Sequence, residues 1–184
     1  MAINYDEKIA FPIYEKAVEL DVPIEFHIGY TEFTRGRLKF AHVLDLDEVA
    51  LAFPKLRILI CHMGHYNYQD TVALMVKHEN IFADVSWLVS LAALDRHSIS
   101  SRHPVVECLY SQLFYPILYY FTQTRGASDK LLFGTDWPST SPRRVVEIIN
   151  GLNPMLKEHN LPLILWESIY NILERNWRKV FKLK

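Results

Sequence analysis

The feature that most constrains the fold is the alternation of short β-like runs with segments of helical periodicity. The runs are "IEFHIG" (24–29), "LRILICHMG" (56–64), "NIFADVSW" (80–87) and "DKLLFGTD" (129–136). A continuous apolar run such as the second one fits a strand that is buried on both faces of a parallel sheet. Strands that alternate with helices imply βαβ units. The sequence therefore predicts an α/β fold with a parallel sheet, either as an open sheet or as part of a barrel.

The helical segments are predicted from apolar residues that recur every three or four positions. The first helix is expected to bury Ile9, Ile13, Ala17 and Leu20, and to end before Pro23. Further helices are expected over 45–54, near 69–79 with Val72, Met75 and Val76 on one face, within 105–124 with a kink at Pro116, and near 142–150. The last helix carries Leu165, Ile169, Ile172, Leu173, Trp177 and Val180 at helical spacing.

The composition excludes several classes of protein. The chain has 184 residues, half of them apolar, which suits one domain with a packed core. A net charge of −1 gives no electrostatic case for a nucleic-acid partner or a membrane surface. There is neither an apolar leader nor an apolar run of ~20 residues, so we expect a cytoplasmic protein without a signal peptide. The two cysteines, Cys61 and Cys108, form no C-x-x-C motif, and Cys61 lies within an apolar run.

A polar side chain closes each predicted strand. His27, His62, Asp84 and Asp136 follow the first to fourth apolar runs, and the carboxyl ends of parallel strands line the site in α/β folds. Two imidazoles and a carboxylate form a partial ligand shell for zinc, manganese or iron. Each residue also has a structural interpretation: a rim histidine with a hydrogen bond, or a carboxylate that caps the next helix. For Asp84, both a carboxylate that points into the site and a carboxylate that caps the next segment stay possible.

The sequence lacks the motifs of two common classes of enzyme site. The sequence contains no G-x-G-x-x-G, no G-x-x-x-x-G-K-[ST] and no G-x-S-x-G, so neither a nucleotide-phosphate loop nor a serine-hydrolase elbow is indicated. His65 is expected on a loop or rim. Trp137 is expected either to wall a pocket or to pack, and the aromatic stripe over 110–121 to lie in the core or at an interface.

Five sequence blocks together resemble the amidohydrolase-related, metal-dependent TIM-barrel family, which includes aminocarboxymuconate semialdehyde decarboxylase and resorcylate decarboxylases. The blocks are "PIEFHIG", "FPKLRILICHMGH", "NIFADVS", "DKLLFGTDWP" and "ILERNWRKVFKL". Their order and spacing agree with the family over almost the whole chain. The resemblance implies that residues 1–184 form a single domain equivalent to strands five to eight of a (β/α)8 barrel with their helices, the C-terminal half.

The resemblance also implies roles for three residues. His27 corresponds to the metal ligand of the fifth strand, and His62 to the sixth-strand histidine that polarises substrate or assists proton transfer. Asp136 corresponds to the eighth-strand aspartate that binds metal or activates its water. The expected activity is metal-dependent hydrolysis or non-oxidative decarboxylation of a small carboxylate or cyclic substrate. The expected cofactor is a divalent metal ion, with zinc as the first choice and manganese or iron as alternatives.

One departure from the family limits these expectations. The sequence has no H-x-H pair, which supplies two further ligands in family members, so weak metal binding is expected. A full barrel takes ~250 residues, and a half-barrel leaves raw strand edges. We therefore expect a homo-oligomer, or a partner chain that supplies the N-terminal half. Two alternatives stay open: a catalytically silent assembly or binding module, and a metal-independent lactonase-type hydrolase that uses His62 and Asp136.

Overall fold

The computed structural model describes residues 4–29, 34–88, 115–124 and 129–183. The helices are α1 (Phe11–Glu19), α2 (Asp45–Ala52), α3 (Tyr68–Lys77), α4 (Tyr115–Gln123), α5 (Pro142–Asn150), α6 (Leu152–Glu158), α7 (Trp166–Tyr170) and α8 (Trp177–Phe181). The strands are β1 (Ile24–Phe26), β2 (Ile58–Ile60), β3 (Ile81–Asp84) and β4 (Leu131–Leu132). Short 3-10 turns cover Lys8–Ala10, Leu38–Phe40 and Cys61–Gly64, and a π turn covers Asn171–Arg175. Helices and strands thus alternate as predicted.

The chain divides into two compact units. The first comprises Met1–Asp84 together with Trp177–Lys184, and the second comprises Val85–Asn176. The prediction of a single domain over 1–184 stays a prediction. Among the described residues, no helix combines the length and the apolar character needed to cross a bilayer.

The first unit contains a parallel sheet in the order β1, β2, β3, as the βαβ pattern predicts. Ile24 is in register with Ile58, and Ile58 is in register with Ile81. Two residues further along, Phe26 is in register with Ile60. All of β2 and β3 is buried. The strands have three or four residues and are shorter than the predicted runs, because apolar burial continues into the turns that follow them.

The predicted face of α1 is wrong at three of its four residues; only Ala17 is buried as expected. Ile9 and Ile13 are 59% and 64% exposed, and Leu20 is also exposed, whereas Tyr14 and Ala17 are buried. The reason is an aromatic cluster: the Tyr14 ring lies 5.5 Å from the ring of Phe53 and 6.0 Å from that of Phe26. A buried aromatic ring removes more apolar area from water than an aliphatic side chain, so it sets which face turns inward. In α3 the prediction holds for Val72 and Met75, but Val76 is exposed.

The helix α8 is tied to the first unit by charged side chains. The guanidinium of Arg57 donates to the Val180 carbonyl at 2.6 Å and to the Asp21 carboxylate at 2.5 Å. Lys182 donates to the same carboxylate at 2.6 Å. These hydrogen bonds from Arg57 and then Lys182 lower the pKa of Asp21 below its ordinary value. The contacts connect residues far apart in sequence into one closed unit.

The second unit is organised around β4 and a helical C-terminal part. The amide of Val85 donates to the Leu132 carbonyl at 3.0 Å, and the Asn176 side-chain amide donates to the Leu131 carbonyl at 2.8 Å. The side chain of Asn153 bridges the backbone of Ile164, donating to its carbonyl at 2.6 Å and accepting from its amide at 2.8 Å. Buried side-chain amides paired in this way stabilise backbone segments that lack the hydrogen-bond ladder of a sheet.

The helices of the second unit agree with the sequence in part. The α5 bounds match the predicted 142–150, and the Ser141 hydroxyl accepts from the Arg144 amide as the N-cap. The predicted last helix is α7, the π turn and α8, with Ile169 and Ile172 buried, but Leu165 is exposed because it precedes α7 as its N-cap residue. Helix α6 was not predicted. Of the helix expected within 105–124, α4 is described and has Pro116 in its first turn. Residues 105–114, and hence the kink, lie outside the described residues.

Candidate functional site

Three side chains form a row at the carboxyl ends of β1, β2 and β3. Phe26 and Ile60 are register partners, so His27 and Cys61 are the next residues along neighbouring strands. Ile60 and Ala83 are also partners, which places Cys61 beside Asp84. Because parallel strands hold their hydrogen-bonded register, the backbone fixes the spacing of this row.

A fourth side chain, Glu25, approaches the row from within β1. Strand alternation puts Glu25 and His27 on the same face. The Cys61 thiol donates to the Glu25 carboxylate at 3.3 Å. Within the described residues, ligand atoms of Glu25, Cys61 and Asp84 all lie within 4.8 Å of one another. Two carboxylates and a sulfur from three adjacent strands therefore converge on one place.

Sequence reasoning found only part of this cluster. It singled out Asp84 with two open interpretations, regarded Cys61 as part of an apolar run, and did not use Glu25. The signal was present: Glu25 is a charge inside a β-like run, two residues before His27, and Cys61 directly precedes His62. Residues two apart in a strand share a face, so the pattern was sufficient to group Glu25 with His27.

His62 lies in a left-handed turn that ends β2. The φ angles are 57° at His62, 49° at Met63 and 62° at Gly64. Left-handed backbone is costly for residues with a Cβ and persists when surrounding contacts impose it. One such contact is the hydrogen bond from the His62 amide to the Asp84 carboxylate, at 3.1 Å. This turn, rather than the strand itself, sets the position of the His62 imidazole.

The two histidines predicted at the strand ends are neighbours. The ring centroids of His27 and His62 are 5.1 Å apart and the rings meet edge to face at 76°. The His62 side chain is buried, whereas His27 is exposed. One imidazole is therefore open to a ligand while the other is held in a protected position beside it.

Gly29 allows the loops after β1 and β2 to approach each other. Its φ is 110°, and a Cβ on Gly29 would lie 2.3 Å from the His65 carbonyl oxygen. The Gly29 amide also donates to the Ala41 carbonyl at 3.1 Å. Beside this contact is a cavity of about 430 Å³, whose polar lining comes from His42, His65 and Asn67. The buried His65 lies on a loop, as expected, and the cavity opens next to the strand ends.

Tyr5 supports the end of β1 and was not predicted. Its hydroxyl donates to the His27 carbonyl at 3.1 Å, and the Tyr14 hydroxyl donates to the Tyr5 carbonyl at 2.7 Å. Burial raises the pKa of Tyr5, and the Asp45 carboxylate raises it further. The phenol therefore stays protonated and able to donate at neutral pH. Tyr5 is a positioning residue, since it fixes the backbone that carries His27.

Asp136 belongs to the second unit and is exposed on the turn after β4. Its φ is 54°, and its carboxylate accepts from the Ser139 hydroxyl at 3.0 Å. The Ser139 amide donates to the Asp136 carbonyl at 2.8 Å, and the Trp137–Pro138 peptide is cis. Because Ser141 caps α5, Asp136 is not the helix cap that the sequence left open. Its role as a metal ligand and catalytic residue stays a prediction, as do those of His27 and His62.

The donors of the first unit suit a divalent cation of borderline softness. Imidazole, carboxylate and thiol groups are the ligands that Zn²⁺ and its neighbours take from proteins. The family resemblance likewise implies a divalent metal. The chemistry of the side chains fits such an ion.

Comparison with known proteins supports this interpretation of the fold. The amidohydrolase family model matches residues 2–167. An uncharacterised TIM-barrel protein, Bb4693 from Bordetella bronchiseptica, superposes with a TM-score of 0.63 at 16% identity, covering 97% of this chain and 52% of that one. A 2,6-dihydroxybenzoate decarboxylase, in complex with 2,6-dihydroxybenzoate, gives 0.58 at 17% identity over 98% of this chain and 57% of that one.

A third solved structure, 4-oxalomesaconate hydratase (LigJ) from Rhodopseudomonas palustris, gives a TM-score of 0.55 at 19% identity over 98% of this chain and 52% of that one. No curated protein sequence matches this chain significantly. The chain spans about half the length of the solved structures it resembles. Since the family model covers most of its residues, the chain belongs to the amidohydrolase family and has the α/β fold of part of a TIM barrel.

Proposed function

We propose that the chain carries part of the active site of a metal-dependent hydrolase or non-oxidative decarboxylase that acts on a small carboxylate or cyclic substrate. The observation that carries this proposal is the pairing of His27 and His62 at the carboxyl ends of parallel strands, with ring centroids 5.1 Å apart. Enzymes of the TIM-barrel type place their reacting groups at this end of the strands. The adjacent cavity of about 430 Å³ offers room for a small molecule.

His27 and Asp136 are the proposed metal ligands. A divalent ion held there lowers the pKa of bound water and withdraws electrons from a carbonyl or carboxylate. His27 is suited to this because its imidazole is exposed while its backbone is held by the Tyr5 hydroxyl. Asp136 is suited because it is exposed and only one of its carboxylate oxygens, Oδ2, accepts from Ser139.

His62 is proposed to hold or move the proton. Its amide is fixed by Asp84 and its ring is buried beside the ring of His27. A buried imidazole in a fixed orientation can deliver a proton to one substrate atom without competition from bulk water.

We also propose a substrate class, an assembly and a cellular location for this activity. Two of the similar structures are 2,6-dihydroxybenzoate decarboxylase and 4-oxalomesaconate hydratase, and their small carboxylate compounds favour this substrate class for the present chain. We propose that a second copy, or a chain that supplies the first half of a barrel, completes the site, and that the protein works in the cytoplasm. Gel filtration with light scattering tests the assembly: a well-folded monomer that turns over substrate contradicts it.

The test of the proposed function is turnover of a panel of lactones, esters and aromatic carboxylates by the metal-loaded protein. His62→Gln is expected to lower kcat by about 10²- to 10⁴-fold, the range for loss of a general acid or base. The control is His159→Gln, which alters an exposed histidine at the end of α6 and is expected to leave kcat unchanged. No turnover across the panel would favour the binding-module alternative, and turnover that resists chelators would favour metal-independent hydrolysis.

A further inference from the structure

We infer that Glu25, Cys61 and Asp84 form a metal site of their own, which takes a thiophilic divalent cation such as Zn²⁺ and needs neither His27 nor Asp136. Glu25 lies in β1, Cys61 directly follows β2 and Asp84 ends β3, and all three residues belong to the first unit. The inference does not depend on the proposed function, because it concerns binding by a different set of ligands.

The distances are close to those that a metal requires. With Zn–S and Zn–O bonds of about 2.3 and about 2.1 Å in a tetrahedron, a sulfur and an oxygen ligand lie about 3.6 Å apart. The Cys61 sulfur and the nearer Glu25 oxygen are already 3.3 Å apart, and no pair in the cluster exceeds 4.8 Å. Side-chain rotations that bring the two most distant ligand atoms about 1 Å closer together therefore suffice, and the strands need not move.

The scaffold holds the ligands in place before binding. Register pairs keep the Cα atoms of β1, β2 and β3 at fixed separations. The His62 amide donates to one oxygen of Asp84, which orients the carboxylate as a second-shell donor does at known metal sites. Cys61 and Asp84 are 8% and 5% exposed, while Glu25 is exposed, so the site is buried on two sides and open on the third.

The charge of the cluster also favours a cation. Two carboxylates within reach of each other repel, and burial increases the free-energy cost of the Asp84 charge. A divalent ion bound between them removes this repulsion and replaces the Cys61 thiol proton. The charge balances: Zn²⁺ binds, the thiol proton leaves to solvent, and two carboxylates and one thiolate remain as ligands.

The sulfur decides which cations are accepted. Thiolate ligands favour Zn²⁺, Co²⁺ and Cd²⁺, whereas Mg²⁺ and Ca²⁺ prefer sites made only of oxygen. An open position for water or another ligand remains on the exposed side, where His27 is the neighbouring imidazole in the row. We therefore expect Zn²⁺ to bind and Mg²⁺ not to compete with it.

The experiment is titration of the metal-free full chain with Co²⁺, followed by the thiolate-to-cobalt charge-transfer absorption in the near ultraviolet. A band is expected at one Co²⁺ per chain, and Zn²⁺ but not Mg²⁺ should displace it. Cys61→Ser should abolish the band, whereas Cys108→Ser, the matched control, should leave it. Glu25→Gln and Asp84→Asn should each raise the Co²⁺ Kd by about tenfold or more, the scale of losing one ligand contribution of ~1.4 kcal/mol.

Further outcomes separate this site from the proposed catalytic one. His27→Ala and Asp136→Asn should keep the band, and circular dichroism confirms that each variant is folded. A missing band in the folded wild-type protein, or a band that Cys61→Ser leaves intact, would overturn the inference. Unchanged turnover in His27→Ala and Asp136→Asn, with the band retained, speaks against the proposed ligands of the reaction only.

Discussion

Replacing Gly29 by alanine tests how tightly the loops after β1 and β2 pack at the candidate site. The added Cβ would lie 2.3 Å from the His65 carbonyl oxygen, and the φ of 110° is unfavourable for any residue with a Cβ. Backbone strain of this kind costs about 1–3 kcal/mol. Relieving the clash requires a shift of about 1 Å, which also weakens the bond from the Gly29 amide to Ala41, worth about 1 kcal/mol.

These terms predict that Gly29→Ala lowers the free energy of unfolding by about 2–4 kcal/mol, or Tm by about 5–15 °C for a chain of this size. Urea denaturation followed by circular dichroism measures the first quantity. The control is Gly151→Ala, since Gly151 has a φ of −77° and its Cβ would make only a tight contact at 3.3 Å with a helix carbonyl. We expect a change below about 1 kcal/mol there.

Hydrogen exchange locates the effect. Amides of the segment from Cys61 to Asn67 should exchange faster in Gly29→Ala, because the shift displaces the turn that carries His62 and His65. If Gly29→Ala is as stable as wild type and its exchange in this segment is unchanged, the argument that a close backbone approach requires this glycine is refuted.

Three further variants test other contacts. Asn153→Ala should cost about 2–4 kcal/mol, because it leaves the amide and carbonyl of Ile164 buried without their partner, whereas exposed Asn150→Ala should change stability by less than about 1 kcal/mol in the same urea assay. Asp21→Asn should destabilise at neutral pH. Since the folded pKa of Asp21 is lowered, its contribution is present above the ordinary value of 3.8 and is lost as pH falls through the folded pKa, so the difference from wild type should disappear in acid melts. Tyr5→Phe should lower stability by about 1 kcal/mol in urea melts, through loss of the bond to the His27 carbonyl; an unchanged midpoint contradicts the positioning role.

The fold was predictable to the extent that it follows from periodicity. Alternating runs gave the α/β order, and Ser141 with Pro142 marked the start of α5 correctly. Strand ends were placed too late, because apolar residues continue through turns such as Cys61–Gly64, where only Gly64 signals a left-handed conformation. The buried face of α1 was predicted incorrectly because the prediction used the spacing of aliphatic residues and left out the aromatic Tyr14, which is buried.

The candidate site was predictable where it depends on strand topology. Placing His27 and His62 at the ends of parallel strands was enough to expect them near each other, and their rings are neighbours. The convergence of Glu25 and Cys61 with Asp84 depends on register, which single-sequence patterns do not specify. The contribution of Tyr5 depends on the path of the N-terminal segment, for which the sequence carries no periodic signal.

The composition of the first unit has a consequence for biosynthesis. Its sheet and helices up to Asp84 are translated before the second unit, yet Arg57 and Asp21 find their partners on Val180 and Lys182, which follow the second unit in sequence. A nascent chain paused before residue 177 therefore holds the strand row without the closing helix. Completion of the first unit therefore waits until residues 177–182 have been translated.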